Sequence, residues 1–241
     1  MRLLRAIGAA LVGYLLGSFS SGRFVARFAS PDEDVTSTTL EFPGGATLEY
    51  EGVSATSVAS RSGPVWGMIT GTLDMAKAYV PTALARRAWP DGPEAAIVAA
   101  AAVAGHNYPI YHGFSGGRGM APYMGGMVAL DPVAIPVTQT AGIALGVGVF
   151  RDMYAAYMGG MWLTVPWFIR RRRPAEAVAA LTINALFTYA SRYELSRYFE
   201  MRRSGELGDL STLRDFASSY DAMTSADQGD SSDEPDPADG T

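Results

Sequence analysis

Residues 132 to 150 run for 19 positions without one charged side chain. A helix needs roughly 20 largely apolar residues to cross a bilayer. A buried helix in a water-soluble core rarely excludes charge for so long. Six further apolar segments accompany this one: Ala6 to Phe19, extendable to Phe28; Val65 to Leu84, interrupted by Asp74 and Lys77; Ala95 to Tyr111; the short Met120 to Leu130; Met153 to Ile169; and Ala175 to Ala190. The pattern predicts an all-α membrane protein, a bundle of about seven transmembrane helices lying multi-pass in the cell membrane, with the lipid bilayer as a partner. Met124 to Met127 and Met158 to Met161 are Gly-containing seams of the kind that lets helix backbones approach in lipid. The first apolar run, preceded by Arg2 and Arg5, also has the shape of a signal peptide. The later segments favour a retained first helix.

Charge is unevenly spread. The formal charge is −5, but residues 204–241 hold ten acidic groups and one basic one, leaving residues 1–203 at +4. The tail is rich in Ser, Asp and Pro and is expected to be disordered. The domain reading is therefore a membrane body over residues 1–203 and an acidic tail over 204–241. Arginine distribution does not orient the body, because the two sides would carry nine and eight. The Arg170 to Arg173 block falls on the side expected to face outward. No cysteine is present, which excludes disulfides, thiolate metal sites and a cysteine nucleophile. With only two histidines, a metal site is not expected, nor is a cofactor or a nucleic-acid partner.

A soluble insertion is expected in the first loop, at about residues 35–53. Apolar and polar residues alternate from Thr36 to Glu51 on both sides of Pro43-Gly44-Gly45, which predicts a β-hairpin. Leu40 and Phe42 are expected to face Leu48 and Tyr50. The hairpin is expected to fold outward, keeping Glu41, Glu49 and Glu51 away from any anion site.

Chemistry concentrates between the third and fourth apolar segments. Gly116-Gly117-Arg118-Gly119 opens a predicted helix. Such a turn aims backbone N–H groups at an anion, the helix N-terminus adds partial positive charge, and Arg118 adds a full one. Taken alone, the same tetrapeptide is better read as a flexible turn between membrane helices. Asp74 and Lys77, three apart on one helix, are expected to neutralise one another within the bundle.

The longer string Gly105-His106-Asn107-Tyr108-Pro109-Ile110-Tyr111-His112-Gly113-Phe114-Ser115-Gly116-Gly117-Arg118-Gly119 resembles the GHxFPVFLGFKGGKG segment of the acyl-phosphate:glycerol-3-phosphate acyltransferase (PlsY) family. Tyr108 stands where the family has Phe, and Arg118 where it has Lys. Tyr14 to Ser21 is similar to the family's YLLGSIPS start, and Leu73 to Lys77, with Pro81, to its FDxxKG helix. The resemblance covers roughly residues 8 to 200 and implies transfer of a fatty acyl group from acyl phosphate to glycerol 3-phosphate, giving lysophosphatidic acid in phospholipid synthesis. It implies no metal, no cofactor and no covalent enzyme intermediate. It assigns His106, Thr56 and Ser57 to the catalytic set, and Gly116, Gly117, Arg118, Gly119, Arg61 and Arg192 to phosphate binding.

The chain departs from the family pattern in two places. The family's GSGNxGATNxxR falls on Glu49 to Ser60, where only Ala55 and Thr56 match; Ser54 and Ser57 replace Gly and Asn, and Arg61 lies beside the Arg position. Its C-terminal HRxNIxRL appears as Ser191 to Tyr198, keeping Arg192 and Arg197 but placing Ser191 and Glu194 where His and Asn are expected. These changes leave open a relative that binds a phosphorylated lipid or polyol with a different activity or none. Glu49, Glu51, Ser54, Thr56 and Arg61 are expected on the same membrane side as Arg118 and Arg192.

Overall fold

The computed structural model describes residues 1–41 and 47–206. The Pro43-Gly44-Gly45 turn, Phe42 and the acidic tail from residue 207 lie outside the described residues. The described chain is helical throughout except for one antiparallel hairpin, β1 (Ser37–Glu41) and β2 (Thr47–Glu51).

The first apolar segment is two helices rather than one. Helix α1 (Arg2–Gly17) ends at Ser18, and α2 (Ser21–Ala29) restarts with Ser20 as its N-cap, the hydroxyl accepting from the Arg23 N–H. Serine side chains compete with the backbone for hydrogen bonds, and Ser18 turns its hydroxyl onto the Tyr14 carbonyl at 2.8 Å. After the hairpin come the short α3 (Ala55–Ser62) and the 25-residue α4 (Pro64–Ala88). At 1.5 Å per residue α4 is about 38 Å long. Helix α5 (Glu94–Asn107) leads through a 3₁₀ turn, Ile110–His112, to α6 (Met120–Leu130). Helix α7 (Ala134–Leu145) closes in a π turn over Gly146–Phe150. The chain continues as α8 (Met153–Arg170), α9 (Pro174–Ala190) and α10 (Arg192–Ser204). The seven apolar segments all lie on helices; α3 and α10, too polar to read as spans, are additional.

Helix contacts follow the small residues. A Cβ at Gly17 would fall on the Ala102 backbone of α5, and one at Gly105 on the Tyr14 carbonyl of α1. Gly125 of α6 sits on the Met75 backbone of α4, and Gly142 of α7 sits on Gly160 of α8, so both expected seams are packing surfaces. The core between them holds Val103, Tyr123, Met127, Met161, Phe168 and Ile183. Polar groups are inside as well: Thr70, Asp74, Thr82, Asn107 and Asn184 are buried, while Leu3, Leu4, Met68, Phe150, Ile169 and Val178 are exposed. Large apolar side chains outside and polar ones inside is the distribution of a protein whose solvent is lipid. Among the described residues, one stretch, Arg2–Ala29, is both long and apolar enough by composition to cross a bilayer, with a mean hydropathy of 1.5.

In the hairpin, Leu40 pairs with Leu48 as expected, but Tyr50 pairs with Thr38. The hairpin base does not stand clear of the bundle. Val35 and Val53 pack with Ala26 of α2, and this apolar contact draws the base inward. A Cβ on Gly52 would lie 2.6 Å from the Gly116 carbonyl oxygen.

The Arg170 to Arg173 block is partly neutralised by acids from neighbouring elements. Arg171 Nε lies 3.6 Å from Asp131, and Arg173 pairs with Glu176 at 2.6 Å. Arg173 also donates to the Leu130 carbonyl at 3.0 Å. Its charge is thus a poor guide to orientation.

Candidate active site

Helices α3, α4, α5, α6, α8 and α9, with the start of α10, surround a cavity of about 390 Å³. Its lining includes the apolar or aromatic Met120, Met124, Tyr157 and Phe187 and the polar Ser54, Thr56, Asp74, His106, Arg118 and Glu194.

Two helix N-termini open on this space. Helix α3 begins with a reciprocal cap: Ser57 N–H donates to Ser54 Oγ at 3.1 Å, and Ser54 N–H to Ser57 Oγ at 2.9 Å. Helix α6 begins at Gly119, whose φ of +92° is a left-handed value that glycine adopts without strain. Gly119, Met120 and Ala121 line the cavity. The first N–H groups of a helix have no carbonyl partner within it, and the macrodipole makes that end partially positive.

A closed cluster joins the cavity lining to the α1–α2 break. Lys77 Nζ is 2.7 Å from Asp74 Oδ1 and donates to the Phe19 carbonyl at 2.7 Å, in the break between α1 and α2. It also lies 2.9 Å from His106 Nδ1. An ammonium has only donors to offer, so Nδ1 accepts and the proton of a neutral His106 sits on Nε2. That nitrogen faces Gly117, where any Cβ would collide with it. Nδ1 is thus committed to Lys77, and Nε2 is packed against the Gly117 backbone. The mutual neutralisation of Asp74 and Lys77 expected from sequence is present, and His106 is its third member.

An open cluster faces the cavity. Arg118 Nη2 forms an ion pair with Glu194 Oε1, joining the glycine loop to α10. The other carboxylate oxygen of Glu194 is buried and has no hydrogen-bond partner. Helix α10 is held down further along by Asp152, which caps α8 through the Ala155 N–H, accepts from the Tyr198 hydroxyl at 2.9 Å and pairs with Arg202. Burial, with Tyr154 stacked at 4.7 Å, pushes the Tyr198 hydroxyl up to about 12, so it remains a donor across the physiological range.

The residues singled out from sequence fall into three groups. Thr56, His106, Arg118 and Gly119 line the cavity together. Ser57 is buried and committed to the α3 cap; Gly116 and Gly117 sit behind the cavity. Gly117 spends its N–H on the His106 carbonyl at 3.2 Å, and both glycines are there because the loop passes too close to the end of α5 for a side chain. Arg61 and Arg192 lie outside the lining. Arg61 borders a separate surface pocket with Asp32 and Glu33. Arg192 stacks on Tyr189 and Tyr193, each 4.3 Å from its guanidinium. Among the described residues Glu194 is a carboxylate partner of Arg118; the side chains of Glu49 and Glu51 lie outside the described residues. Glu194 was visible in sequence only as the acid standing at the Asn of the C-terminal motif, opposite an Arg standing for Lys.

Among the described residues no group of three or more His, Asp or Glu side chains is arranged to hold a metal ion.

A helical membrane-type fold enclosing a cavity lined by both apolar and ionic side chains defines the class, and comparison with known proteins gives the family. Residues 7–201 match the family model described as glycerol-3-phosphate acyltransferase. The chain is 34% identical over 199 residues to the glycerol-3-phosphate acyltransferase of Anaeromyxobacter sp. (strain K), covering 79% of this chain and 93% of that one. It is 36% identical over 151 residues to the enzyme of that name from Anaeromyxobacter dehalogenans (strain 2CP-C), covering 60% and 69%. The crystal structure of PlsY, an integral membrane glycerol 3-phosphate acyltransferase, in its glycerol 3-phosphate form superposes with a TM-score of 0.66 at 25% identity, covering 82% of this chain and 93% of that one. The chain belongs to the glycerol-3-phosphate acyltransferase family.

Proposed function

We propose that this protein transfers a fatty acyl group from acyl phosphate to the 1-hydroxyl of glycerol 3-phosphate, releasing inorganic phosphate and lysophosphatidic acid. The observation that carries the reading is the joint opening of Arg118 and the first turn of α6 on a cavity lined by both apolar and polar side chains. The apolar side chains suit the acyl chain near the reacting carbon. The guanidinium and the N–H groups suit the phosphate and the oxyanion that develops during acyl transfer. Catalysis then rests on positioning and electrostatics, with Thr56 and the start of α3 lining the same space.

In this reading the body, residues 1–203, is a multi-pass protein of the cell membrane with about seven spans, and the tail from residue 204 takes no part in the chemistry. Exposed apolar side chains along α1, α4, α8 and α9 support the membrane placement.

The Arg118–Glu194 pair favours a second reading, in which the altered site acylates a different phosphorylated polyol or none. One experiment separates the two. Purified protein in detergent or liposomes is given acyl phosphate and glycerol 3-phosphate, and lysophosphatidic acid and inorganic phosphate are measured. Equal molar formation of both supports the first reading; phosphate release without the lipid, or no turnover, rejects it.

A further inference from the structure

Two carboxylates line the cavity among the described residues, Asp74 and Glu194. They are not equivalent. Asp74 Oδ1 also lacks a hydrogen bond of good geometry, but the Lys77 ammonium holds it at 2.7 Å, with His106 at 3.5 Å. Glu194 binds Arg118 through Oε1 and keeps Oε2 buried without a hydrogen-bond partner. A buried carboxylate oxygen left unpaired is costly, and in a cavity wall the missing donor is most simply supplied by what the cavity holds.

The other groups that might accept a proton there are committed. His106 Nδ1 accepts from Lys77, and its Nε2 faces Gly117. The Ser57 hydroxyl accepts from the Ser54 N–H and donates to the Ser54 carbonyl. Thr56 and Ser54 offer hydroxyls, which are weak bases. Arg118 is always a cation, and its fork of five N–H donors can serve a carboxylate and a phosphate together.

We propose that Oε2 of Glu194 binds the attacking hydroxyl of the acceptor polyol and takes its proton. The role rests on the acyl-transfer reading given above. The hydroxyl oxygen forms a bond to the acyl carbon. The bond from that carbon to the phosphate oxygen breaks, and the electron pair leaves with the phosphate. The proton moves to Glu194 and then to the departing phosphate, so the carboxylate is restored each cycle. The carboxylate faces the hydroxyl end of the acceptor, while Arg118 and the α6 N–H groups take phosphate. This chain therefore replaces the family's expected Asn–Lys combination with a Glu–Arg one, in which the added base and the guanidinium fork come as a pair.

The test is steady-state kinetics on the full chain, varying each substrate, for wild type, Glu194→Gln and Glu194→Asp. Gln keeps the volume and a carbonyl for Arg118 but cannot accept the proton. Its kcat should fall by about 100-fold or more, the usual scale of a general base. KM for acyl phosphate should stay within about twofold. Asp, a carboxylate one methylene shorter, should recover at least about tenfold of that loss. Thermal unfolding of each variant identifies any that fails to fold; if Gln fails, Asp against wild type and Glu194→Asn carries the comparison. A kcat for Glu194→Gln within about threefold of wild type would overturn the role, placing proton transfer on the departing phosphate itself. Absence of turnover in wild type would instead contradict acyl transfer, and this role with it.

Discussion

The protein places two ionic clusters within one helix bundle, and they are built to opposite ends. Asp74, Lys77 and His106 form a closed set: the Lys77 ammonium pairs with Asp74 within α4, reaches His106 of α5, and takes the carbonyl left over at the α1–α2 break. Arg118 and Glu194 form an open set, with one carboxylate oxygen paired and the other not. A closed set in a low-dielectric interior fixes geometry. An open one waits for a ligand. In the proposed reaction the same residue types carry architecture in one place and chemistry in the other, and the number of partners around each charge tells them apart.

The contrast is broken most severely at Asp74. Asp74→Ala leaves Lys77 buried without its counter-ion, and removing one partner of a buried pair costs about 3–5 kcal/mol. Thermal unfolding in detergent should show a large fall in midpoint. A stable Asp74→Ala protein that has lost turnover would show that the closed cluster is chemical too. At the open cluster, Arg118→Ala should weaken glycerol 3-phosphate binding by about 1.5–3 kcal/mol, the value of a charge-assisted hydrogen bond. Arg118→Lys should lose less, and calorimetric titration of both variants checks the order.

Packing sits between these effects. Gly17→Ala would drive a methyl into the Ala102 backbone, an overpacking worth about 1–3 kcal/mol of stability, read as a lower unfolding midpoint with KM unchanged. The smallest effect belongs to Arg61, which borders a surface pocket away from the cavity. Arg61→Ala should leave KM within about twofold, since surface substitutions away from special features usually fall within ±0.5 kcal/mol. A tenfold rise would move the phosphate site.

The sequence carried the helical body well, because apolar runs and small-residue seams are local signals. Gly125 and Gly142 pack where their Met-flanked and charge-free segments suggested. It carried the Asp74–Lys77 pair for the same reason, since three residues on a helix share a face. It did not carry His106 as the third member, 29 residues beyond Lys77, nor Glu194 on Arg118, 76 residues away. Those contacts depend on how α4, α5 and α10 pack. The break at Ser18–Ser20 was hidden because Ser18, Phe19 and Ser20 are uncharged and include neither Gly nor Pro. The loop glycines were read as anion ligands from their composition, whereas Gly116 and Gly117 are set by close approach to the end of α5. Arg61 and Arg192 were chosen for charge and position in a motif, and neither property fixes which way a surface side chain runs.

The central claim is that phosphate is received by Arg118 and the first turn of α6. A structure of the protein with glycerol 3-phosphate bound tests it directly. The account predicts phosphate oxygens within hydrogen-bond distance of the Arg118 guanidinium and of the N–H groups at Gly119 to Ala121, with a hydroxyl on Glu194. Phosphate seated on Arg61 or Arg192, with the cavity between α3 and α6 empty, would contradict it.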